Sequence, residues 1–404
     1  MNLTKYLVLG FLVCIIGYLC ATFQGCVKKS SSETIQIGEI DPLSGKLAKH
    51  GLEIHEGIVL AVEEINAAGG IQGREIKLIA RDDQSLPEVA FANAQELIQR
   101  EKVVALTGGY VDTLVGTISE AARKNKTPYV ASASLQEELT KTNNPYFFRV
   151  SKLSGFVNPI VGFLTHEIKP SRIGILYAST PGSTEFAKKV RALLKVNGIA
   201  VPFLEKFKPG ISDFSPLIFK MSNYDLDFII SGGFLPDHIL FIRQVKENNY
   251  RLKGYLGPWG IAYQSFISQM KEDAELLFST CAWNPGITLP GTEKKSREFV
   301  EHFRKRFNKI PNTTNMHGYT SALVILDALK RIDLNNKDLR ENLRKAIAST
   351  DLVLPMEHVI FDDNGDPIDY NHVIIQIQKG RVVPVYPPER ATGKPIYPMV
   401  DSKL

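Results

Sequence analysis

Side chains that could carry out covalent or acid–base chemistry are few in this sequence. Cys281 could act as a nucleophile, but the sequence pairs no histidine with it, and a buried, inert thiol is the more common role of a lone cysteine. Asp82 and Asp83 are adjacent, and adjacent residues of a strand point to opposite faces, which argues against a catalytic pair. The chain also lacks the G-x-S-x-G, H-E-x-x-H and G-x-x-x-x-G-K-[ST] motifs. The sequence therefore predicts no enzyme, no metal site and no cofactor.

The composition is that of a globular protein large enough for two domains. Of the 404 residues, 44% are hydrophobic and 23% are charged, which is enough apolar surface to build a sizeable core. A chain of this length favours two domains over one. The 48 basic and 43 acidic residues leave a net charge of only +5, without a long basic run. We therefore expect no nucleic-acid partner.

The first 33 residues have the layout of an export signal followed by a tether. Lys5 gives a short basic start, residues 6–21 are almost wholly apolar, and the sequence FQGC ends at Cys26. Gly25-Cys26 is similar to the site at which bacterial lipoproteins receive a diacylglycerol, which predicts a signal peptide at 1–25 and a lipidated Cys26. The alternative is an uncleaved anchor, since about 17–25 apolar residues cross a bilayer. In both interpretations residues 26–33 are a flexible tether, and the rest of the chain lies outside the cytoplasm.

From Ile35 onward, apolar strand-like runs alternate with segments of helical period. In the first helical segment, Ile54, Ile58, Ala61 and Ile65 recur at helical spacing until a Gly-Gly pair ends it. Strands, helices and glycine turns then follow one another to residue 132, and a second series of the same kind begins at residue 172. Repeated βαβ units imply parallel sheets covered by helices on both faces. We therefore predict an α/β fold with two Rossmann-like sheets.

Several stretches carry a resemblance to a known family. They are residues 38–45 (GEIDPLSG), residues 57–73 (GIVLAVEEINAAGGIQG), Asp82-Asp83, residues 144–149 (NPYFFR), residues 208–215 (KPGISDFS) and residues 317–319 (HGY). Their order and spacing resemble those of periplasmic solute-binding proteins of the branched-chain amino acid type. The resemblance covers residues 35 to about 387, so it is far more specific for the fold than any single motif would be.

The resemblance implies a type I periplasmic binding protein fold, in which two lobes are joined by a three-stranded hinge. It predicts a first lobe at 34–150 plus 284–355, a second lobe at 151–283 plus 356–390, and a C-terminal tail at 391–404, with the third crossover near residues 356–361. It further implies hinge closure on a small-molecule ligand, with the permease and ATPase subunits of an ABC-type transporter as partners.

Candidate ligand-binding residues follow from the rule that ligands of open α/β sheets bind at the carboxyl ends of strands. The βα turns of the two predicted sheets supply Tyr110, Asp112, Thr113, Ala133, Ser134, Leu135 and Trp259, and the resemblance alone adds Ser183 and Phe234. Alternatives remain open for three of them. Asp112 and Thr113 could only cap the helix that follows. Trp259 could be packing, although its flanking Pro258 and Gly260 favour a turn at a strand end, where its indole could stack on a flat ligand.

The resemblance also shows where this chain departs from binders of branched-chain amino acids. Trp259 takes the place of a glutamate that holds the ligand ammonium, Asp112 that of a serine and Leu135 that of a threonine which hold the ligand carboxylate. A second-lobe tyrosine aligns near Gly182-Ser183. Both charged groups of an α-amino acid would then lose their usual partners on burial. We therefore expect a ligand other than a branched-chain amino acid.

Two other functions remain as alternatives. The same fold serves in sensory modules that report ligand occupancy to a separate membrane receptor or kinase. An exported enzyme is less favoured, because the catalytic motifs are missing. Neighbouring genes for a permease and an ATPase would favour uptake, whereas a receptor gene would favour sensing.

Overall fold

The computed structural model describes residues 34–399. The expected signal peptide, Cys26 and the tether lie outside these residues, as do residues 400–404 of the expected tail. Within the described part of the chain, no helix is both long and apolar enough to cross a membrane. The predicted α/β class with parallel sheets is confirmed.

The first sheet consists of five parallel strands in the order β2-β1-β3-β4-β5. Its strands are β1 (Ile35–Asp41), β2 (Ile76–Asp82), β3 (Ala105–Tyr110), β4 (Tyr129–Ala133) and β5 (Phe147–Arg149). Helices α1 (Ala48–Ala67), α2 (Pro87–Gln99) and α3 (Asp112–Lys124) connect the first four strands, and a 3₁₀ turn at Glu137–Leu139 precedes the fifth. Three later helices complete this unit, which we call the first lobe: α9 (Glu293–Phe307), α10 (Thr313–Lys330) and α11 (Leu339–Ala348).

The second sheet has seven strands in the order β15-β14-β10-β9-β8-β6-β7, of which β14 and β15 are antiparallel additions. Its strands are β6 (Arg172–Ala178), β7 (Ala200–Phe207), β8 (Phe228–Gly232), β9 (Tyr255–Gly257), β10 (Phe278–Cys281), β14 (Val373–Gln378) and β15 (Arg381–Tyr386). The helices of this second lobe are α4 (Leu153–Phe163), continued by a π-helical turn at Leu164–Ile168, α5 (Pro181–Val196), α6 (Ser215–Met221), α7 (Leu235–Glu247) and α8 (Gln264–Met270), with 3₁₀ turns at Lys271–Ala274 and Pro388–Arg390.

Apolar periodicity explains how these elements pack. In α1 the predicted stripe is buried at Ile54, Ile58 and Ala61, and the helix stops before Gly69 and Gly70, which both have positive φ angles. The first sheet is covered on one face by α1, α10 and α11 and on the other by α2 and α3. In the second lobe, α4 and α5 cover one face and α6, α7 and α8 the other. Each lobe therefore has three layers, a sheet between two layers of helices, as buried parallel strands require.

The chain passes between the two sheets three times, and a small sheet near the expected third passage bears on where that passage lies. Strands β11 (Asp351–Val353), β12 (His358–Phe361) and β13 (Pro367–Asp369) form a small antiparallel sheet. This sheet packs on the first lobe, where the rings of Phe361 and Phe148 lie 5.2 Å apart. We therefore propose a third crossover at residues 370–372 rather than 356–361, with residues 356–369 belonging to the first lobe.

Arg149 ties this small sheet to the first lobe. Its side chain is fully buried, its Nε donates to Asp366 Oδ1 at 2.5 Å, and its Nη1 donates to the carbonyl of Gln136 at 2.9 Å. A buried cation that loses its carboxylate partner is left uncompensated in a medium of low dielectric constant. Arg149 and Asp366 are therefore expected to act as a unit.

Replacing Asp366 by Asn should lower the free energy of unfolding by about 3–5 kcal/mol, because Arg149 would stay buried without its paired carboxylate. Urea denaturation measures the change. Lys220→Met is the matched control, since it breaks an exposed ion pair with Glu205 and should change stability little. The double variant Arg149→Met/Asp366→Asn should be less destabilised than the sum of its single variants. A mild effect of Asp366→Asn, equal to that of the control, would contradict the assignment.

Candidate functional site

The first candidate turn follows β3 and has a strained backbone. Val111 is β-branched, yet it has φ +64° and ψ 151°, a region that such residues rarely adopt. Gly108 and Gly109 before it have φ +89° and +92°. The N–H group of Gly109 donates to Asp41 Oδ1 at 2.8 Å, which fixes the turn to the end of β1. Strain of this kind is found at ligand clamps, where the surrounding structure maintains it.

Asp112 does not cap its helix with its side chain. Helix α3 begins at Asp112 with Val111 as N-cap, and Asp112 Oδ1 instead accepts hydrogen bonds from the backbone N–H groups of Leu135 and Gln136, both at 2.7 Å. The capping alternative is therefore wrong for Asp112. Thr113, the next residue of α3, is exposed. Hydrogen bonds to the carboxylate of Asp112 thus join two of the predicted turns.

The second turn, from Ala133 to Leu135, lies beside the first. Ser134 is almost fully buried, at 2% exposure, and its hydroxyl has no hydrogen-bond partner among residues 34–399. Its backbone is held by Ser151, whose Oγ accepts from Ser134 N–H at 3.1 Å and donates to the Ser134 carbonyl at 3.0 Å. The free hydroxyl of Ser134 is available to a further partner.

In the second lobe, Gly182 faces Asp112. A β-carbon placed on Gly182 would lie 2.6 Å from Asp112 Oδ2 and 3.7 Å from the β-carbon of Leu135. Ser183, which the sequence indicated, is buried beside it, and its N–H donates to the N-cap hydroxyl of Thr180 at 3.3 Å. The two lobes therefore approach each other closely at Gly182, where any side chain would collide with Asp112.

Trp259 lies among three phenylalanine rings of the second lobe. Its ring centroid is 5.7 Å from that of Phe156, 5.2 Å from that of Phe186 and 6.3 Å from that of Phe234, the first two edge-on. The indole is partly exposed, but its Nε1 is buried and lacks a hydrogen-bond partner within the described residues. Trp259 and Phe234 therefore lie close together, and Phe186, which packs on Trp259, is one turn after Gly182 in the helix that faces Asp112.

Several contacts between the lobes, close to Asp112 and Gly182, could not be predicted from the sequence. Glu137 of the first lobe forms an ion pair with Lys189 of α5, and its N–H donates to Glu185 Oε1 at 3.3 Å. Burial, and then the nearby carboxylates of Glu137 and Asp112, raise the pKa of Glu185. Residues 52 apart in the chain share no local pattern that could predict their pairing.

Three further side chains surround Tyr110. His50, at the start of α1, stacks on Tyr110 with ring centroids 4.8 Å apart. Burial, followed by the proximity of Tyr263 and Glu53, raises the pKa of Tyr110 well above its usual value. Tyr263 also shares a hydrogen bond of 3.0 Å with Thr314 across the lobes. His50 could have been found in the sequence, because the β1–α1 turn is also at the carboxyl end of a strand.

A buried polar cluster lies at the third crossover. His317 Nε2 is 2.9 Å from Tyr370 OH, and the ring of His372 lies 3.9 Å from that of Phe156. Burial lowers the pKa of His317 to about 4 and that of His372 well below its usual value. Both imidazoles are therefore neutral near pH 7. Glu357, also buried, has a pKa raised well above its usual value for the same reason.

The residues that could have done covalent or acid–base chemistry have structural roles. Burial raises the pKa of Cys281 to about 12, which suppresses its thiolate. Asp82 Oδ1 accepts the N–H groups of Leu43, Ser44 and Gln84, and the buried Asp83 accepts that of Ser85. Among residues 34–399, no three His, Cys, Asp or Glu side chains are grouped to hold a metal ion.

Comparison with known proteins identifies the family. Residues 34–381 match the model of the periplasmic binding protein family. The chain belongs to this family. A Leu/Ile/Val-binding protein homolog of Brucella abortus is 26% identical over 90% of this chain and 94% of its own length. A leucine-, isoleucine-, valine-, threonine- and alanine-binding protein of Pseudomonas aeruginosa is 22% identical over 86% of this chain and 91% of its own length.

Solved structures agree with this assignment. A leucine-binding protein of Thermotoga maritima is 25% identical, with a TM-score of 0.76 over 88% of this chain and 99% of its own. The fold of an isoleucine-bound transporter protein of Streptococcus pneumoniae is equally similar, with a TM-score of 0.76 at 23% identity over 87% and 98% of the two chains. The protein is thus a periplasmic solute-binding protein of the branched-chain amino acid transporter type. Family members bind substrates and are not enzymes, and membership implies export.

Proposed function

We propose that this protein captures a small molecule between its lobes and delivers it to the permease and ATPase subunits of an ABC-type transporter. The observation that carries the proposal is the meeting of Asp112 and Leu135 of the first lobe with Gly182 of the second, beside Trp259. These residues stand at the ends of four strands, where backbone donors and partly exposed rings converge. The sensory alternative gains no support from the relatives.

Ligand binding should close the lobes without chemical turnover, because a ligand that touches both lobes binds the closed state better than the open state. A thermal-shift screen of amino acids, amides, aromatic acids and sugars would find the ligand, since a hundredfold excess over Kd stabilises the protein by about 2.7 kcal/mol. Small-angle scattering with the hit should then show a smaller radius of gyration. Conversion of the ligand, or scattering that stays constant at saturation, would count against the proposal.

We further infer that the ligand is not a branched-chain amino acid. Trp259 offers a ring and an N–H donor where an ammonium group would need an acceptor, and its Nε1 itself has no acceptor among residues 34–399. Asp112 Oδ1 already takes the N–H groups of Leu135 and Gln136. An amino acid would therefore be desolvated without compensating hydrogen bonds, which costs several kcal/mol. A flat or aromatic face on the ligand fits the partly exposed indole better.

Calorimetry should detect no micromolar binding of leucine, isoleucine or valine. For the hit from the screen, Trp259→Ala should weaken binding about tenfold or more, since loss of a stacked ring removes about 1.4 kcal/mol. Trp259→Phe is the matched control: it keeps a ring but removes the Nε1 donor, and so separates stacking from hydrogen bonding. Micromolar leucine binding would overturn the ligand assignment, and an unchanged affinity of Trp259→Ala would place the indole outside the site.

We also propose that Cys26 carries a lipid that tethers the protein to the membrane. The apolar run that ends at Gly25-Cys26 and the polar segment behind it support this proposal. Cys26→Ser should accumulate as an unprocessed precursor with an unchanged fold, detectable by mass spectrometry of membrane fractions. Cys20→Ser, six residues earlier, is the control that should mature normally. Normal maturation of Cys26→Ser would defeat the proposal in favour of the uncleaved anchor.

A further inference from the structure

The backbone N–H groups of Leu135 and Gln136 form an anion-binding pair at the end of β4. They belong to consecutive residues, and both donate to one oxygen atom at 2.7 Å. Convergent N–H groups at the end of a parallel strand bind carboxylates and phosphates in many proteins. Here the anion that they bind is the protein's own, the side chain of Asp112, which is only 8% exposed.

The second oxygen of the same carboxylate points the other way. The two hydrogen bonds of Asp112 are both accepted by Oδ1, whereas Oδ2 faces Gly182 across the lobes. In the same turn as the N–H pair, the hydroxyl of Ser134 is buried and has no hydrogen-bond partner among residues 34–399. An ionised carboxylate oxygen accepts hydrogen bonds and does not donate them. The group that completes this corner must therefore supply a donor.

From this geometry we propose that the ligand lacks a carboxylate at this corner and presents a hydrogen-bond donor, an ammonium or amide N–H group, to Asp112 Oδ2. The proposal rests on the proposed function, since it assumes that the ligand binds in this cleft. Asp112 acts as a resident anion: it fills the N–H pair and so leaves no free donor there for a carboxylate of the ligand. Glu137 and Glu185 lie at the same contact between the lobes, where Lys189 and Lys141 both pair with Glu137.

Asp112→Ser tests the proposal because it should leave the N–H groups of Leu135 and Gln136 without their acceptor. The probes are isobutyrate, isobutyramide and isobutylamine, which share one apolar body and differ in the head group. Wild-type protein should bind the amide or the amine more tightly than the acid. In Asp112→Ser, isobutyrate affinity should rise at least tenfold, and the amide resonances of Leu135 and Gln136 should shift on titration in ¹H–¹⁵N spectra of the full-length chain.

Asp112→Asn is the matched control. Its side-chain oxygen can still accept from the N–H pair, so it removes the charge without emptying the pair and should gain no comparable affinity for isobutyrate. The proposal would be overturned if wild-type protein bound isobutyrate as tightly as it binds the amide or the amine. It would also be overturned if Asp112→Ser did not raise the affinity for isobutyrate. An equal gain in Asp112→Asn would do the same, since charge alone would then explain it. Failure of the proposed function would give a different result. The lobes would not close on a ligand, yet Asp112→Ser would still bind isobutyrate more tightly than the wild-type protein.

Discussion

A backbone N–H group that is shut away from water must find an acceptor, and this requirement organises the cleft. At the end of β4 the acceptor for two such groups is Asp112 Oδ1, which comes from the neighbouring turn. Val111 adopts its strained φ of +64° immediately before Asp112, and Asp41 holds Gly109 just ahead of it. The strained backbone of Val111 thus places the carboxylate of Asp112 where the two N–H groups can reach it. The local cost in backbone energy, about 1–3 kcal/mol for such a residue, is offset by satisfied hydrogen bonds that a substitution at Asp112 would remove.

The opposite wall of the cleft depends on apolar packing. Trp259 is held edge-on by Phe156 and Phe186, so its ring is oriented before any ligand arrives. A ring that is already fixed loses little conformational freedom when a ligand stacks on it. Phe186 stands four residues after Gly182 on α5, and the same helix therefore carries both the lobe contact with Asp112 and the support for the indole. In the proposed site, α5 thus links recognition of a donor group to recognition of an apolar face.

Much of the fold could be predicted from the sequence, because strand and helix periods survive in the buried faces of both lobes. The ends of β9 and the position of Trp259 followed from local turn residues. The sequence could not show that Asp112 bonds to the next turn, since a helix-start carboxylate looks the same in both roles until the φ angle of Val111 is known. Nor could it distinguish Gly182 from Ser183, because the choice depends on which of the two residues comes within reach of Asp112 across the lobes. The position of the third crossover also stays a proposal, because the turn at residues 362–367 looks alike in either lobe.

The hinge and the cleft are joined by packed rings. Phe156 contacts Trp259 on one side and Tyr370 and His372 on the other, with ring centroids 5.7, 6.0 and 3.9 Å away. Tyr370 in turn pairs with His317 of α10 in the first lobe. Because packed interiors transmit displacement rather than absorb it, these rings form a path from Trp259 to residues 370–372. Burial keeps both histidines neutral near pH 7, so neither imidazole brings a charge that would have to be desolvated into this packed junction.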